Sequence, residues 1–335
     1  MMALGVIMLG AYVRLSDAGL GCPDWPGCYG RLGVPTTADA ISQANVAYPD
    51  RPVQPAKAWK EMLHRYLASA LGLVILVLAA AAWASRGVLP IGLPTLLLGL
   101  VIFQGLLGMW TVTLLVKPAI VTAHLAGGLA TLSLLWWLVL RHSPLVRTPV
   151  NSSLGRLRPW AWAGLVLLCA QILLGGWTST NYAAVACTEF PTCYAGLWWP
   201  PTDYREAFVI WRGLGIDYEF GVLDSAARTA IHLTHRIGAL VVFIYLSVFA
   251  VQVMKRAQTR THFGLGLMLM VMLLLQVALG ISNVVGHLPL AVAVAHSGGA
   301  ALLLLVLTTV LYALSTPGAV SGFRGGDDPR EAPEG

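Results

Sequence analysis

Four histidines at matched spacing are the residues of this chain best placed to do chemistry. Glu61-Met62-Leu63-His64-Arg65 is followed by His124, sixty residues after His64. His232-Leu233-Thr234-His235-Arg236 is followed by His296, sixty-one residues after His235. Gln104-x-x-x-Gly108 lies twenty residues before His124, and Gln276-x-x-x-Gly280 lies twenty before His296. All four imidazoles lie on long apolar segments, where an ionisable group is costly and usually marks a function. A single buried histidine is as readily explained by a bond to a backbone carbonyl. Two matched pairs are not, and they point to two bound metal centres. Haem suits two well-separated ligands, whereas zinc wants a third and fourth ligand clustered nearby.

The neighbours of each pair extend this reading. Arg65 and Arg236 each follow a ligand candidate, and a guanidinium pairs with a haem propionate through its planar fork. The alternative is an arginine snorkelling to the headgroups. Glu61 sits three residues before His64 on the same helical face, where the second half has His232. A carboxylate beside only one site suggests that the two have diverged, one doing proton-coupled chemistry and the other supplying electrons. His232 is then a supporting residue. Glu61 paired with Arg65 or Lys57 is the plainer alternative.

Cysteines repeat as well. Cys22-x5-Cys28 and Cys187-x5-Cys193 are compatible with small disulfide loops in an oxidising compartment. Neither matches the C-x-x-C-H pattern of covalent haem attachment. Cys169 reads as a core residue, and His142, His262 and His287 as loop residues, the first two at the surface. Trp198, Trp199 and Trp211 suit a membrane interface.

These side chains need long apolar elements to position them. The 335 residues are 57% hydrophobic and only 11% charged, and mean hydropathy is +0.73, against about 25% charged in soluble domains. An integral membrane protein follows, and the net charge of +6 fits cytoplasmic loops better than nucleic acid. Eight apolar segments stand out, at 1–13, 62–84, 91–114, 120–140, 160–178, 230–253, 263–283 and 289–313. The expected fold is all-α, eight transmembrane helices forming two pseudo-symmetric four-helix bundles. An even number per repeat makes it a parallel repeat.

The boundaries follow from these segments: an N-terminal half at 1–140, a linker at 141–159, a C-terminal half at 160–316 and a disordered tail at 317–335. Aligning Cys22 with Cys187 sets Ala3–Val13 opposite Leu168–Thr178, part of a full span, so N-terminal residues are expected to be missing. Arg86, the group Arg141, Arg147, Arg156 and Arg158, and the group Lys255, Arg256 and Arg260 mark cytoplasmic loops. Both termini are then cytoplasmic, and the cysteine loops and histidine sites lie toward the outer face.

Taken together, Leu20-Gly21-Cys22-Pro23-Asp24-Trp25-Pro26-x-Cys28, Glu61-x-x-His64-Arg65, Gln104-x-x-x-Gly108 with His124, His232-x-x-His235-Arg236, and Gln276-x-x-x-Gly280 with His296 resemble the haem A synthase family. These are membrane monooxygenases related to the mitochondrial assembly factor of cytochrome oxidase. The resemblance covers nearly the whole chain and implies oxidation of the C8 methyl of haem O to the formyl group of haem A. It implies that His235 and His296 hold a resident haem b, with Arg236 at a propionate. It places the substrate haem O at His64, Arg65 and His124, with Glu61 assisting catalysis. It further implies a bacterial inner-membrane protein with disulfide-stabilised outer loops at Cys22–Cys28 and Cys187–Cys193. Haem O synthase or oxidase assembly factors are the implied partners, together with an electron donor that the sequence does not name and the surrounding lipid. If both imidazoles bind the substrate iron, oxygen activation must await ligand loss, or water must supply the oxygen. A di-haem b electron-transfer cytochrome, or a haem-binding or transport protein, is the competing class.

Overall fold

The computed structural model describes residues 1–85, 90–143, 150 and 152–315. Among these residues the secondary structure is helical, apart from isolated bridges at Cys28–Arg31 and Tyr194–Leu197. The helices are α1 (Met2–Leu15), α2 (Ala38–Ala47), α3 (Pro55–Ala84), α4 (Gly92–Thr113), α5 (Pro118–His142), α6 (Ser152–Gly155), α7 (Arg158–Thr180), α8 (Tyr204–Ala207), α9 (Ser225–Lys255), α10 (Arg260–Val285) and α11 (Leu290–Ser315). Seven of these segments are long and apolar enough to cross a bilayer: α3, α4, α5, α7 with α6 leading into it, α9, α10 and α11. The first apolar segment forms α1, whose 14 residues reach about 21 Å at 1.5 Å per residue. That is short of a hydrocarbon core of about 30 Å.

Local signals set where the long helices start. Pro55 and Pro118 occupy the first positions of α3 and α5, where the missing N–H costs nothing. Asp224 caps α9 by accepting from the Ala227 amide, and Thr259 caps α10 by accepting from the His262 amide. Because α3 begins at Pro55, His64 lies well inside the helix rather than at the end of its apolar stretch. The same holds for His235 on α9.

Packing closes the helices into two rings. In one, α1, α3, α4 and α5 each touch the next, and α5 returns to α1. In the other, α7, α9, α10 and α11 do the same. The rings meet where α1 packs on α11, α5 on α7 and α5 on α11. Trp136 of α5 donates to the Thr309 hydroxyl of α11 across this seam at 2.8 Å. Glycines bring these helices close: a Cβ on Gly176 of α7 would stand 2.8 Å from Leu125 of α5, and one on Gly298 of α11 3.3 Å from Met8 of α1. The largest apolar cluster runs through both rings, with Ile75, Leu97, Leu246, Phe249, Leu269 and Leu307 nearly or fully buried. Outward faces carry Leu73 and Val77 on α3 and Met268 and Val271 on α10, as lipid-facing surfaces require.

Two sequence expectations need correction. Cys169 is exposed on α7, because its helical position falls on the outward face of an apolar helix. His262 is neither in a loop nor at the surface. It lies in the first turn of α10, 1% exposed, with Nδ1 3.1 Å from the hydroxyl of the Thr259 cap. His142 ends α5 and is exposed, and His287 follows α10 in an exposed turn. Arg141 and Lys255 close α5 and α9, while Arg158 and Arg260 open α7 and α10. Arg86, Arg147 and the tail at 317–335 lie outside the described residues.

Candidate functional site

His64 of α3 and His124 of α5 face each other across the first ring, their ring centroids 6.5 Å apart and nearly perpendicular. A metal bonded on both sides to imidazole nitrogens at about 2 Å each, with the ring radii added, sets ring centres roughly 6 Å apart. The observed spacing therefore suits one metal between two imidazoles. The Nδ1 atoms of His64, His124 and His296 are buried and have no hydrogen-bond partner, which is costly unless something else satisfies the ring. Both observations fit a haem with two axial histidines.

Each of the four rings lies against a glycine of a neighbouring helix. A Cβ on Gly10 of α1 would stand 2.9 Å from His64, and one on Gly108 of α4 3.6 Å from His124. Gly175 of α7 and Gly280 of α10 would come to 3.1 Å from His235 and 3.2 Å from His296. At Gly10, Gly175 and Gly280 the missing side chain makes room for the ring. Gln104 donates to the His124 carbonyl at 3.1 Å, and Gln276 to the His296 carbonyl at 3.0 Å. Gln171 does the same for His235 at 2.9 Å, and its amide nitrogen also lies 3.0 Å from His235 Nδ1. Gln171 escaped the sequence reading, although Gln171-x-x-x-Gly175 has the same internal spacing as the two motifs that were noticed.

Glu61 is buried at 4% exposure, with both carboxylate oxygens engaged. Oε2 accepts from the Cys22 amide at 2.9 Å, and Oε1 pairs with Arg65 at 2.5 Å. The pairing with Arg65, the plainer sequence alternative, is therefore present. His232 occupies the corresponding place on α9 and is bonded through Nδ1 to the Ala183 carbonyl at 2.9 Å. Arg65 reaches outward, donating to the carbonyls of Asp24, Pro26 and Gly27. Arg236 likewise donates to the carbonyls of Glu189, Pro191 and Thr192, while its Nε is buried without a partner.

Those carbonyls belong to the cysteine loops. Cys22 is joined to Cys28, and Cys187 to Cys193. Asp24 accepts from the amides of Tyr29 and Gly30 at 2.6 and 2.7 Å. Glu189, at the matching place, accepts from the Gly196 amide at 3.1 Å and the Thr192 hydroxyl at 2.9 Å. These two donors hold the Glu189 carboxyl below its usual range. In each half, then, the arginine after a histidine ties a disulfide loop down over the helix that carries the histidine.

A second closure is asymmetric and was not foreseen. Lys117, in the turn before α5, is 2% exposed. It donates to the carbonyls of Arg212 and Gly213 at 2.5 and 2.8 Å, and its ammonium lies 3.7 Å from the centre of the Trp211 ring. Burial pushes this ammonium below the usual lysine range, while the carbonyls and the indole face favour its charged form. Arg51 pairs with Asp217 and Glu219, and the Tyr218 amide donates to the Leu115 carbonyl at 3.2 Å. The 208–222 segment from the second half of the sequence is thus strapped over the first ring. Trp211 touches Lys117 in that strap and, like Trp198 and Trp199, is more than half exposed.

Comparison with known proteins identifies relatives of this chain. The COX15-CtaA family model, described as cytochrome oxidase assembly protein, matches residues 1–308. A heme A synthase of Shewanella oneidensis is 48% identical over 309 residues, covering 92% of both chains. Heme A synthases of Caulobacter vibrioides and Rhizorhabdus wittichii are 28% and 26% identical over 94% of this chain. With a family model matched over most of its length and a near-half-identical relative aligned end to end, this chain belongs to the COX15-CtaA family of cytochrome oxidase assembly proteins.

Proposed function

We propose that this chain is a haem A synthase, a membrane oxidoreductase that oxidises haem O to haem A. The similarity to the Shewanella oneidensis heme A synthase across 92% of both chains carries this reading. The opposed imidazoles of His64 and His124 support a haem site in the first ring.

Residues 1–140 form the substrate half, and His64 and His124 hold haem O. Residues 160–316 form the half in which His235 and His296 hold haem b, with 141–159 as linker and 317–335 as tail. Eight helices, with α1 counted as the first, make two related bundles. Support comes from the matched packing, since exchanging α1 with α7 and α5 with α11 turns the α1–α11 contact into the α7–α5 contact. The matched roles of Asp24 and Glu189 and of Arg65 and Arg236 add to it. The basic helix ends face the cytoplasm, where both termini also lie, and the disulfide loops face outward across a bacterial inner membrane. Haem O synthase and oxidase assembly factors are the expected partners.

Haem b, when bound, would supply one-electron redox chemistry, with its potential tuned by His235, His296 and their surroundings. The chain's own groups do the rest. His64 and His124 would hold the substrate beside Glu61, which lies three residues before His64 on the same helix face. Glu61 holds or takes up a proton at Oε1, exchanging it against its pairing with Arg65. His232, in the other half, carries no acid and is tied to Ala183, which suits a site that passes electrons only. The unpartnered Nε of Arg236 is a donor for a haem b propionate. Arg65 contributes by holding Glu61 and the first disulfide loop at the substrate site.

The test is haem extraction from the purified protein made in cells that supply haem O, comparing the parent with Glu61→Ala. Haem b plus haem A is expected in the parent, and haem O or its alcohol in the variant. Haem b alone in both, with haem O abundant, would instead identify a di-haem electron-transfer cytochrome.

A further inference from the structure

We infer that three of the four site histidines are locked by a glutamine–glycine clamp and that His64, which has none, is the ligand built to leave. The inference rests on the reading of both pairs as haem ligands. Every clamp has the same parts. The histidine is followed at the third position by glycine: His124 and Gly127, His235 and Gly238, His296 and Gly299. A glutamine on the adjacent helix sits in the notch that glycine leaves. A Cβ there would stand only 2.1 Å from Gln104, 2.2 Å from Gln171 and 2.4 Å from Gln276, so no other residue admits the glutamine without displacement. Each glutamine then donates to the carbonyl of its histidine, fixing the ligand helix to the neighbouring helix at the ligand itself.

The unit at His64 is incomplete. Gly10 of α1 meets the His64 ring as Gly175 of α7 meets His235. Four residues before Gly175 stands Gln171, but four before Gly10 stands Val6. Three residues after His235 stands Gly238, but three after His64 stands Leu67, which is 37% exposed. Both halves of the clamp are replaced together, by residues whose side chains cannot bond to a carbonyl, and for a hydrogen bond the His64 ring meets only the Val6 backbone. In an apolar surrounding a polar side-chain bond between helices restrains them directly, and its absence leaves α3 held to α1 at this position only through the ring's own contacts with the Val6 backbone and Gly10. His64 also shares its helix face with Glu61, so the unclamped ligand is the one beside the acid. Loss of the bond between His64 and the substrate iron would open one coordination position next to Glu61, while His124 keeps the substrate in place.

Carbon monoxide is the probe, since it binds reduced haem only where an axial ligand gives way. The purified, haem-loaded full-length protein is reduced and mixed with carbon monoxide, and the Soret change is followed. One haem class in the parent should bind carbon monoxide. In Val6→Gln/Leu67→Gly that class should bind about tenfold more slowly, the scale of one added hydrogen bond. Gln171→Leu and Gln276→Leu should each make the second haem class accessible while haem content stays intact, which keeps the test decisive if the double variant does not accumulate. Unchanged kinetics in all these variants, with haem content intact, would overturn the clamp alone. Haem content and spectrum unaltered by both His64→Ala and His235→Ala would overturn the ligand assignment beneath it.

Discussion

At the level of single residues, one side chain often serves both the site and its cover. Glu61 bonds the Cys22 amide of the outer loop and the guanidinium of Arg65, and Arg65 in turn holds three loop carbonyls. Any proton movement at Glu61 is therefore coupled to the seat of the first disulfide loop. Glu189 gives a cleaner view of loop chemistry because it lies far from the imidazoles in sequence and on the outside of the protein. Hydrogen bonds from Gly196 and Thr192 lower its pKa. A carboxylate depressed in the folded state stabilises the fold above its unfolded value, near 4.3 or so, and that contribution disappears as pH falls through the lower folded value. Acidification below about pH 4 should thus loosen the 187–197 loop, and the fluorescence of the adjoining Trp198 and Trp199 reports it. The transition should be absent in Glu189→Gln. Its persistence there would assign it to another carboxyl.

Helices and loops differ in how far the sequence revealed them. The long apolar stretches announced themselves by composition, because backbone groups in lipid must be satisfied within a helix. The histidine pairs were legible for the same reason: polar residues repeated on such helices stand out. What remained hidden depended on contacts between distant segments. Gln171 precedes its histidine by a whole outer loop, so its link to His235 has no fixed local spacing. Arg65 and Arg236 looked equally suited to propionates, and only the fold shows their guanidiniums turned to loop carbonyls. Lys117 has no counterpart at all, since Pro289 stands at its place in the second half. Its strap contact is nonetheless testable. Removing the ammonium in Lys117→Leu deletes two charge-assisted bonds and a contact with Trp211, worth about 1.5–3 kcal/mol together, and frees the 208–222 segment. Trypsin should then cut after Arg212 about tenfold or more faster, as expected when cleavage follows local opening. An unchanged cleavage rate would mean that Arg51 and Tyr218 hold the strap alone.

For the molecule as a whole, the question is how two sites in separate rings work as one enzyme. Helix α7 supplies the physical link through adjacent glycines. Gly175 abuts the His235 ring, while Gly176 abuts Leu125 and Thr122, which flank His124 on α5. The backbone of α7 is therefore sandwiched between α5, which carries His124, and the His235 ring, and on the proposed assignment an electron passing between the two sites would cross this contact. A Cβ on Gly176 would already be 2.8 Å from Leu125, so Gly176→Leu must push α5 and α7 apart, at a cost of about 1–3 kcal/mol from overpacking. His235 and His296 sit on α9 and α11 of the second ring, whereas the nearest neighbours of a Cβ on Gly176 are Leu125 and Thr122 of α5. Gly176→Leu should accordingly keep its haem b, with an unaltered reduced spectrum, while haem A formation falls and haem O accumulates. Loss of haem b in proportion to haem A would show that the seam is merely structural. Full haem A yield would show that the path between the sites runs elsewhere, along the α1–α11 contact.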